Sequence, residues 1–415
     1  MYVLKRTVLF KIWQFPLVSE TFILAQIITA IKSGYEVKIL VQDLFETEPG
    51  WQQDTFDSYN FKKKIIIDDP RIPDSRVLKL IKGMGLILLN LPDFRKMISF
   101  IKADKRGLLD NLYRFQFYKQ FRKVDIIHVQ YGTNVKPFDT FKKTGIFSSK
   151  LIVSFHGHDA FFPINGIVPN NGYYDDLFKH GNMIVANTPY LAAKLEELGC
   201  PKNKIKIIPV GVDTKFFQPN SSGRNGKKLK LISIGRLDKV KGHKHAIEVM
   251  DLLLSNDLNV SLTIIGEGAE RKNLQELITL KKLHEDIFLV GKKDHFEIKN
   301  YFQEHDIYIL PAVAVENNRQ ETQGLATLEA QACGIPAVVF NSGGVKYTVK
   351  DGTTGFVVRE GDIVAMAEKI EELINNVTLW EEMSRAAIVY VEENFSQTKI
   401  DAVWCREYEQ LTNNR

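Results

Sequence analysis

Residues 228–243 read KLKLISIGRLDKVKGH: a short apolar run, a glycine where it ends, a basic turn, then a helical pattern over 243–254. Strand, glycine turn and helix in that order predict a βα unit, and the unit recurs outward from here. Downstream come SLTIIG (261–266), DIFLVG (286–291), DIYILP (306–311), PAVVF (336–340) and GFVV (355–358), separated by helical patterns at 269–282, 295–304 and 324–333. Upstream, TVLFKIW (7–13), EVKILV (36–41), KIII (64–67), DIIHV (125–129), LIVSF (151–155), MIVAN (183–187) and KIKIIP (204–209) alternate with helices such as 20–32 and 190–198. Continuous apolar runs mark strands buried on both faces, and their alternation with helices implies parallel sheets with right-handed crossovers.

The polar stretch PNSSGRNGKK (219–228) separates two such blocks, and two amphipathic helices, near 362–395 and 397–411, close the chain. The expected fold class is therefore α/β, with two doubly wound parallel-sheet, Rossmann-like domains facing across a cleft. The first covers 1–218 and the second 229–395, with 219–228 as linker. Sheets of this kind bind ligands beyond the carboxyl ends of their strands, so functional residues should follow strands directly.

Composition excludes several classes. The chain has 415 residues, 44% hydrophobic and 25% charged, which fits folded domains and not disorder. Its three cysteines, Cys200, Cys333 and Cys405, form no CxxC pair, which argues against a disulfide framework or a cysteine zinc site and fits a cytoplasmic protein. Lys11 interrupts the one N-terminal apolar run that could serve as a signal core, so that run is expected to be a first strand. Charge is uneven: residues 61–125 carry 16 Lys/Arg against 7 Asp/Glu. No GxxxxGK[ST], GxSxG or HExxH motif occurs, and GEGAER (266–271) lacks the third glycine of a dinucleotide fingerprint. No Asp-x-Asp pair is present to cage a divalent ion, so no metal site is expected.

Three constellations carry chemistry. After LKLISI, Gly235 permits a close approach, and Arg236 and Lys241 set two cations beside a helix N-terminus, where a diphosphate would be neutralised. A basic surface loop would look the same. After DIYILP, Glu321 stands just before a helix opened by Gly324, and Glu329 lies within it, with Leu325, Leu328 and Ala332 expected on its buried stripe. A carboxylate at a helix start is often only a cap; here the helix N–H groups could meet a phosphate while the acids reach sugar hydroxyls. After LIVSF, His156 sits at a strand end with His158 as competitor; with Asp159 they make an incomplete metal set.

In order, H-G-x-D (156–159), I-P-V-G-V-D (208–213), G-R-L-x-x-x-K-G (235–242), G-x-G (266–268), E-x7-E (321–329), A-C-G-I-P (332–336), G-G (343–344) and D-G-x-T-G (351–355) resemble the retaining GT-B glycosyltransferases of family 4. FPLVSETFI (15–23) further resembles the subgroup building bacterial capsular and colanic-acid-type exopolysaccharides. The resemblance implies that Arg236 and Lys241 hold the diphosphate of a UDP- or GDP-sugar, Glu321 the transferred sugar and Glu329 the ribose. Gly235 and the backbone at Gly324 and Leu325 would meet phosphate or sugar, Val290 and Gly291 the base. His156 would reach the sugar, with Ser19, Glu20 and Asp159 on the acceptor side. The terminal helix, 396–415, would return to the first domain. The acceptor would be a glycan, often lipid-linked; no metal and no nucleic acid would be required. Thr322, Gln323, Lys346 and Tyr347 depart from the pattern and put donor selectivity in doubt, and 314–320 is long enough to form part of the donor wall.

Residues 71–123 mix cations with apolar residues, as an anionic membrane surface would require, although ordinary helices with one face in the core would also fit. A nucleotide-sugar 2-epimerase is the rival enzyme class, but its extra acid/base residues are not found. A nucleic-acid-binding protein would need a recognition element that is absent here.

Overall fold

The computed structural model describes residues 5–17, 20–46, 51–104, 106–164, 166, 168–219 and 228–413. Ser19 and all but the ends of the 219–228 stretch lie outside them. The chain divides into two compact units, one of Met1–Ala186, Lys194–Lys206 and Asp401–Arg415, the other of Asn187–Ala193 and Ile207–Ile400.

In the first unit, β1 (Thr7–Phe15), β2 (Glu36–Leu44), β3 (Ile65–Ile67), β4 (Ile126–Gln130), β5 (Lys150–Ser154), β6 (Met183–Ala186) and β7 (Ile205–Ile207) form one sheet. Its order is β3-β2-β1-β4-β5-β6-β7, so the direction of winding reverses between β1 and β4. The connecting helices are α1 (Thr21–Lys32), α2 (Trp51–Ser58), α3 (Arg76–Leu89), α4 (Phe94–Ala103), α5 (Leu108–Tyr118), α6 (Phe138–Lys143), α7 (Asp175–His180) and α8 (Pro189–Glu197). Lys11, which breaks the apolar run of β1, is 2% exposed and ion-paired with Asp68. Tyr118 Oη donates to the other Asp68 oxygen at 2.5 Å. A lysine this deep keeps its place only because a hydrogen-bonded carboxylate offsets its desolvation.

The second unit repeats the plan with β8 (Leu229–Ile234), β9 (Val260–Ile265), β10 (Ile287–Leu289), β11 (Ile307–Leu310), β12 (Ala337–Phe340) and β13 (Gly355–Val358), ordered β10-β9-β8-β11-β12-β13. Alternate residues feed two cores. Leu229, Leu231, Leu262 and Ile307 pack on one face with Met250 and Ile370, while Ile232, Ile234, Tyr308 and Leu310 pack on the other with Leu328 and Val391. Both faces are covered, which is why these strands carry continuous apolar runs. The helices are α9 (His243–Ser255), α10 (Arg271–Leu280), α11 (His295–Gln303), α12 (Leu325–Ala332), α13 (Ile363–Asn375) and α14 (Val377–Phe395), while α15 (Gln397–Asn413) belongs from Asp401 onward to the first unit.

The single helix expected over 362–395 is two. Asn376 leaves the helical region at φ −119°, ψ 90°, and its side chain accepts the Leu379 N–H at 3.0 Å, capping α14. A short amide that competes for backbone hydrogen bonds starts a helix more readily than it continues one.

Candidate functional site

Because β8 and β11 are neighbours, the loops leaving their carboxyl ends meet at the switch point of the second sheet. The Lys241 ammonium lies 2.6 Å from Glu321 Oε2, with both side chains under a fifth exposed. Glu321 Oε1 also accepts the Gly324 N–H at 3.2 Å, next to the first turn of α12. Burial pushes the Glu321 carboxyl up, but Lys241 and the N–H groups of Gln323 and Gly324 outweigh it and hold the group below its ordinary value. Glu321 is therefore ionised, and Lys241 is its counterion. Gly242, at φ 68°, must be glycine: a Cβ there would stand 1.7 Å from the Pro311 carbonyl oxygen. This contact presses the basic loop against the end of β11.

Arg236 behaves differently. Its side chain is 71% exposed and only loosely approached by Asp238, at 3.8 Å. Asp238 is fastened instead by the Val240 N–H at 2.8 Å and by Arg319 Nη2 at 3.2 Å. Burial raises the Asp238 carboxyl, but those two donors dominate and hold it below its usual range. Arg319 thus brings a third cation to the same loop cluster, from the long 314–320 segment. That segment is tied down by the Val315–Arg319 bridge and by the Ala314 N–H donating to Glu360 Oε1 at 2.7 Å. Asp238 and Arg319 were invisible to motif reasoning, because their partnership depends on two loops 81 residues apart.

Glu329 is 8% exposed, and burial pushes its carboxyl up to about 7. Among the described residues no cation offsets that shift. Leu325, expected on the buried stripe with Leu328 and Ala332, is half-buried but packs against the same core, and Glu329, one turn on, is buried beside it. Gly324, at φ 80°, takes up the left-handed turn from which α12 starts. Gly235 lies against the Lys241 stem, 3.1 Å from where a Cβ would sit. At the end of β10 the Val290 N–H is committed to the Ile264 carbonyl at 3.1 Å, and the Gly291 carbonyl accepts the Gly266 N–H at 3.0 Å.

The departures at 322 and 323 have a structural explanation. Gln323 is buried, donating to the Val210 carbonyl at 2.9 Å and accepting the Val210 N–H at 3.0 Å. Thr322 accepts from Asn187 Nδ2 on its hydroxyl oxygen at 3.4 Å and from Thr188 Oγ1 on its carbonyl at 2.7 Å. These side chains anchor the Glu321 loop within the second unit.

In the first unit the switch point lies between β1 and β4, and a second group gathers there. Tyr131 Oη donates to Glu20 Oε1 at 2.7 Å, and burial raises the Glu20 carboxyl although that bond opposes the shift. His156 Nε2 donates to Gln130 Oε1 at 2.9 Å, and its ring lies 4.7 Å from Tyr131 and 4.8 Å from Phe22. Burial pushes the imidazole down to about 4, so it is neutral at physiological pH. His158 is exposed, which separates the two histidine candidates. Asp159, expected on the acceptor side, is fully buried. Its carboxylate accepts the N–H groups of Gly132 at 2.8 Å, His156 at 3.1 Å and Gly157 at 2.8 Å, and it shapes the His156 turn from within. Asp159→Ala should therefore lower stability by about 3 kcal/mol or more, since three buried donors lose one charged acceptor. Urea unfolding followed by circular dichroism would measure it. Behind this turn, the fully buried His128 bonds Ser154 Oγ and Tyr408 Oη, each at 2.8 Å, anchoring the last helix to the first sheet.

Two sheets, of seven strands ordered 3-2-1-4-5-6-7 and of six ordered 3-2-1-4-5-6, each wound by helices and each carrying polar residues at its switch point, define the Rossmann-like pair of the GT-B fold. Structural likeness agrees: an Anabaena protein, HepE, solved with UDP, superposes with TM-score 0.72 over 98% of this chain and all of its own, at 14% identity. A glycosyltransferase from Rickettsia africae gives TM-score 0.72 over 99% of this chain and all of its own, at 20% identity. The profile of glycosyltransferase family 4 matches residues 29–216, and that of glycosyl transferases group 1 matches 214–389. The chain belongs to this family of GT-B glycosyltransferases and is related to enzymes of the colanic-acid and capsule type. WcaL of Salmonella typhimurium, assigned to colanic acid biosynthesis, is 28% identical over 94% of this chain and 97% of its own. The amylovoran biosynthesis glycosyltransferase AmsK of Erwinia amylovora is 28% identical over 92% of this chain and 94% of its own.

Proposed function

We propose that this glycosyltransferase moves a hexose-type sugar, with retention and without a metal ion, from a UDP- or GDP-sugar to a growing, lipid-linked polysaccharide. The observation that carries this reading is the Lys241–Glu321 pair at the opening of α12, with the exposed Arg236 beside it. The bond from the anomeric carbon to the diphosphate oxygen breaks, and a bond from the same carbon to the acceptor hydroxyl forms on the same face. The acceptor proton passes to the departing diphosphate, so the protein needs no strong base. Its task is to stabilise the charge growing on that diphosphate through Arg236, Lys241 and the N–H groups at Gly324 and Leu325. Glu321 orients the sugar, Glu329 the ribose, and the Val290 carbonyl and Gly291 N–H meet the base. HepE was solved with UDP-glucose, which supports a uridine donor.

The Glu20, Tyr131 and His156 group of the first unit is proposed to face the acceptor. With the lipid-linked acceptor goes a peripheral position on the cytoplasmic face of the membrane, the basic 71–123 region meeting anionic lipid. Among the described residues, no helix is long and apolar enough to cross a membrane. The test is a panel of UDP-, GDP- and ADP-sugars with and without crude lipid-linked acceptor, in chelator, recording nucleotide release and product. Acceptor-dependent release that falls at least tenfold in both Arg236→Ala and Glu321→Ala is expected. Full transfer by both variants would overturn the assignment, and acceptor-free epimerisation would replace it.

A further inference from the structure

Helix α3 is amphipathic in the wrong sense for a soluble surface. Its inner face is held to α5: the buried Gly83 lets Leu109 and Leu112 approach, Tyr113 Oη donates to the Lys79 carbonyl at 2.9 Å, and Lys79 is ion-paired with Asp110. On the opposite side Val77, Ile81, Met84 and Leu88, one helical face by their spacing, are 66%, 57%, 59% and 67% exposed. Leu91 and Phe94 extend the same uncovered surface at 57% and 41%. An apolar face this continuous marks an interaction surface.

What covers it follows from charge. Arg76, Lys82, Arg95 and Lys96 on and beside the helix are exposed, in the most basic part of the chain. A second copy seated face to face would set these like charges against each other, whereas anionic headgroups would attract them. Apolar side chains on one face with flanking cations are what lets a helix lie in the plane of a bilayer interface. We infer that α3 is a membrane-docking helix whose Val77, Ile81, Met84 and Leu88 enter the headgroup–acyl boundary of an anionic bilayer, with the flanking cations on lipid phosphates. This deepens the membrane-side reading of the proposed function and rests on it, but it assigns the contact to apolar insertion in addition to charge.

The test is co-sedimentation of the full chain with vesicles of phosphatidylglycerol and phosphatidylcholine, compared with a variant carrying Val77→Ser, Ile81→Ser, Met84→Ser and Leu88→Ser. Binding should fall by roughly tenfold or more, while donor hydrolysis in vesicle-free solution stays unchanged, which also reports correct folding. Separately, Met84→Trp should be quenched by lipids brominated on the acyl chain. Undiminished binding by the serine variant, or a Met84→Trp signal indifferent to brominated lipid, would overturn the proposal. So would a wild-type dimer that the serine variant dissolves without any vesicle binding, which would give the face to a second copy. Persistent vesicle binding and quenching in a protein that turns over no nucleotide-sugar would leave α3 as assigned and retire the transferase reading instead.

Discussion

Lys241→Ala is expected to lower both kcat and kcat/KM for the nucleotide-sugar on the order of a hundred-fold or more, the loss seen when one preorganised donor to a developing anion is removed. The effect should exceed that of a generic surface lysine because Lys241 is less than a fifth exposed and directed at Glu321 from 2.6 Å. A second signature follows from the same pair. In the wild type, Lys241 and two backbone N–H groups overcome the burial that would otherwise raise the Glu321 carboxyl. Without the lysine, burial prevails and Glu321 takes up a proton at higher pH, so the acid limb of the pH–rate profile should move toward neutrality. The stability deficit of the variant has a matching sign. Wild-type Glu321, held low, contributes stability that is present above its ordinary pKa and lost as pH falls through the depressed value. The deficit should therefore be largest at neutral and alkaline pH and shrink in acid. A profile that merely scales down, with its acid limb unmoved, would show that Lys241 acts on the donor alone.

Glu329→Gln should separate stability from function. Burial pushes the Glu329 carboxyl up to about 7 from an ordinary 4.5, so between those values the folded state holds a proton that the unfolded chain releases. Folding stability attributable to this group therefore falls as pH rises from its ordinary value to about 7 and stays low above it. Glutamine removes the titration. Relative to wild type, the variant should gain on the order of 2 to 3 kcal/mol between pH 5 and pH 8. Thermal melts at the two pH values measure this directly, and equal shifts at both would refute the burial argument. Donor affinity should move the other way, with KM for the nucleotide-sugar rising roughly tenfold, because a diol pays no penalty in water but loses a charged acceptor here. A carboxylate kept in an unfavourable place is best explained by a ligand that uses it.

The two sites differ in how far sequence could reach them. Residues following a glycine-ended strand, such as Arg236 and Lys241, were legible because a parallel strand delivers whatever follows it to one edge of the sheet. The pairing of Lys241 with Glu321 was not, since it depends on β8 lying beside β11, an adjacency set by sheet order across more than 70 residues. Gln323 looked like a departure in donor selectivity because its partner, the Val210 backbone, is 113 residues away. The region 71–123 showed its excess of cations at once. The phase of α3 was hidden, because an apolar stripe in sequence is the same whether it faces the core or the solvent.

By itself, then, the sequence determined the alternation of strand and helix, the doubly wound class of both units and the strand ends at which chemistry belongs. These follow from local periodicity and from glycine at tight turns, properties carried by a few neighbouring residues. Only the tertiary structure decided which face of α3 is uncovered, that Asp159 supports the His156 turn from inside, and that Glu329 is buried on α12 with no cation beside it among the described residues. Each of those depends on packing between segments distant in the chain, where a side chain's role is set by what meets it.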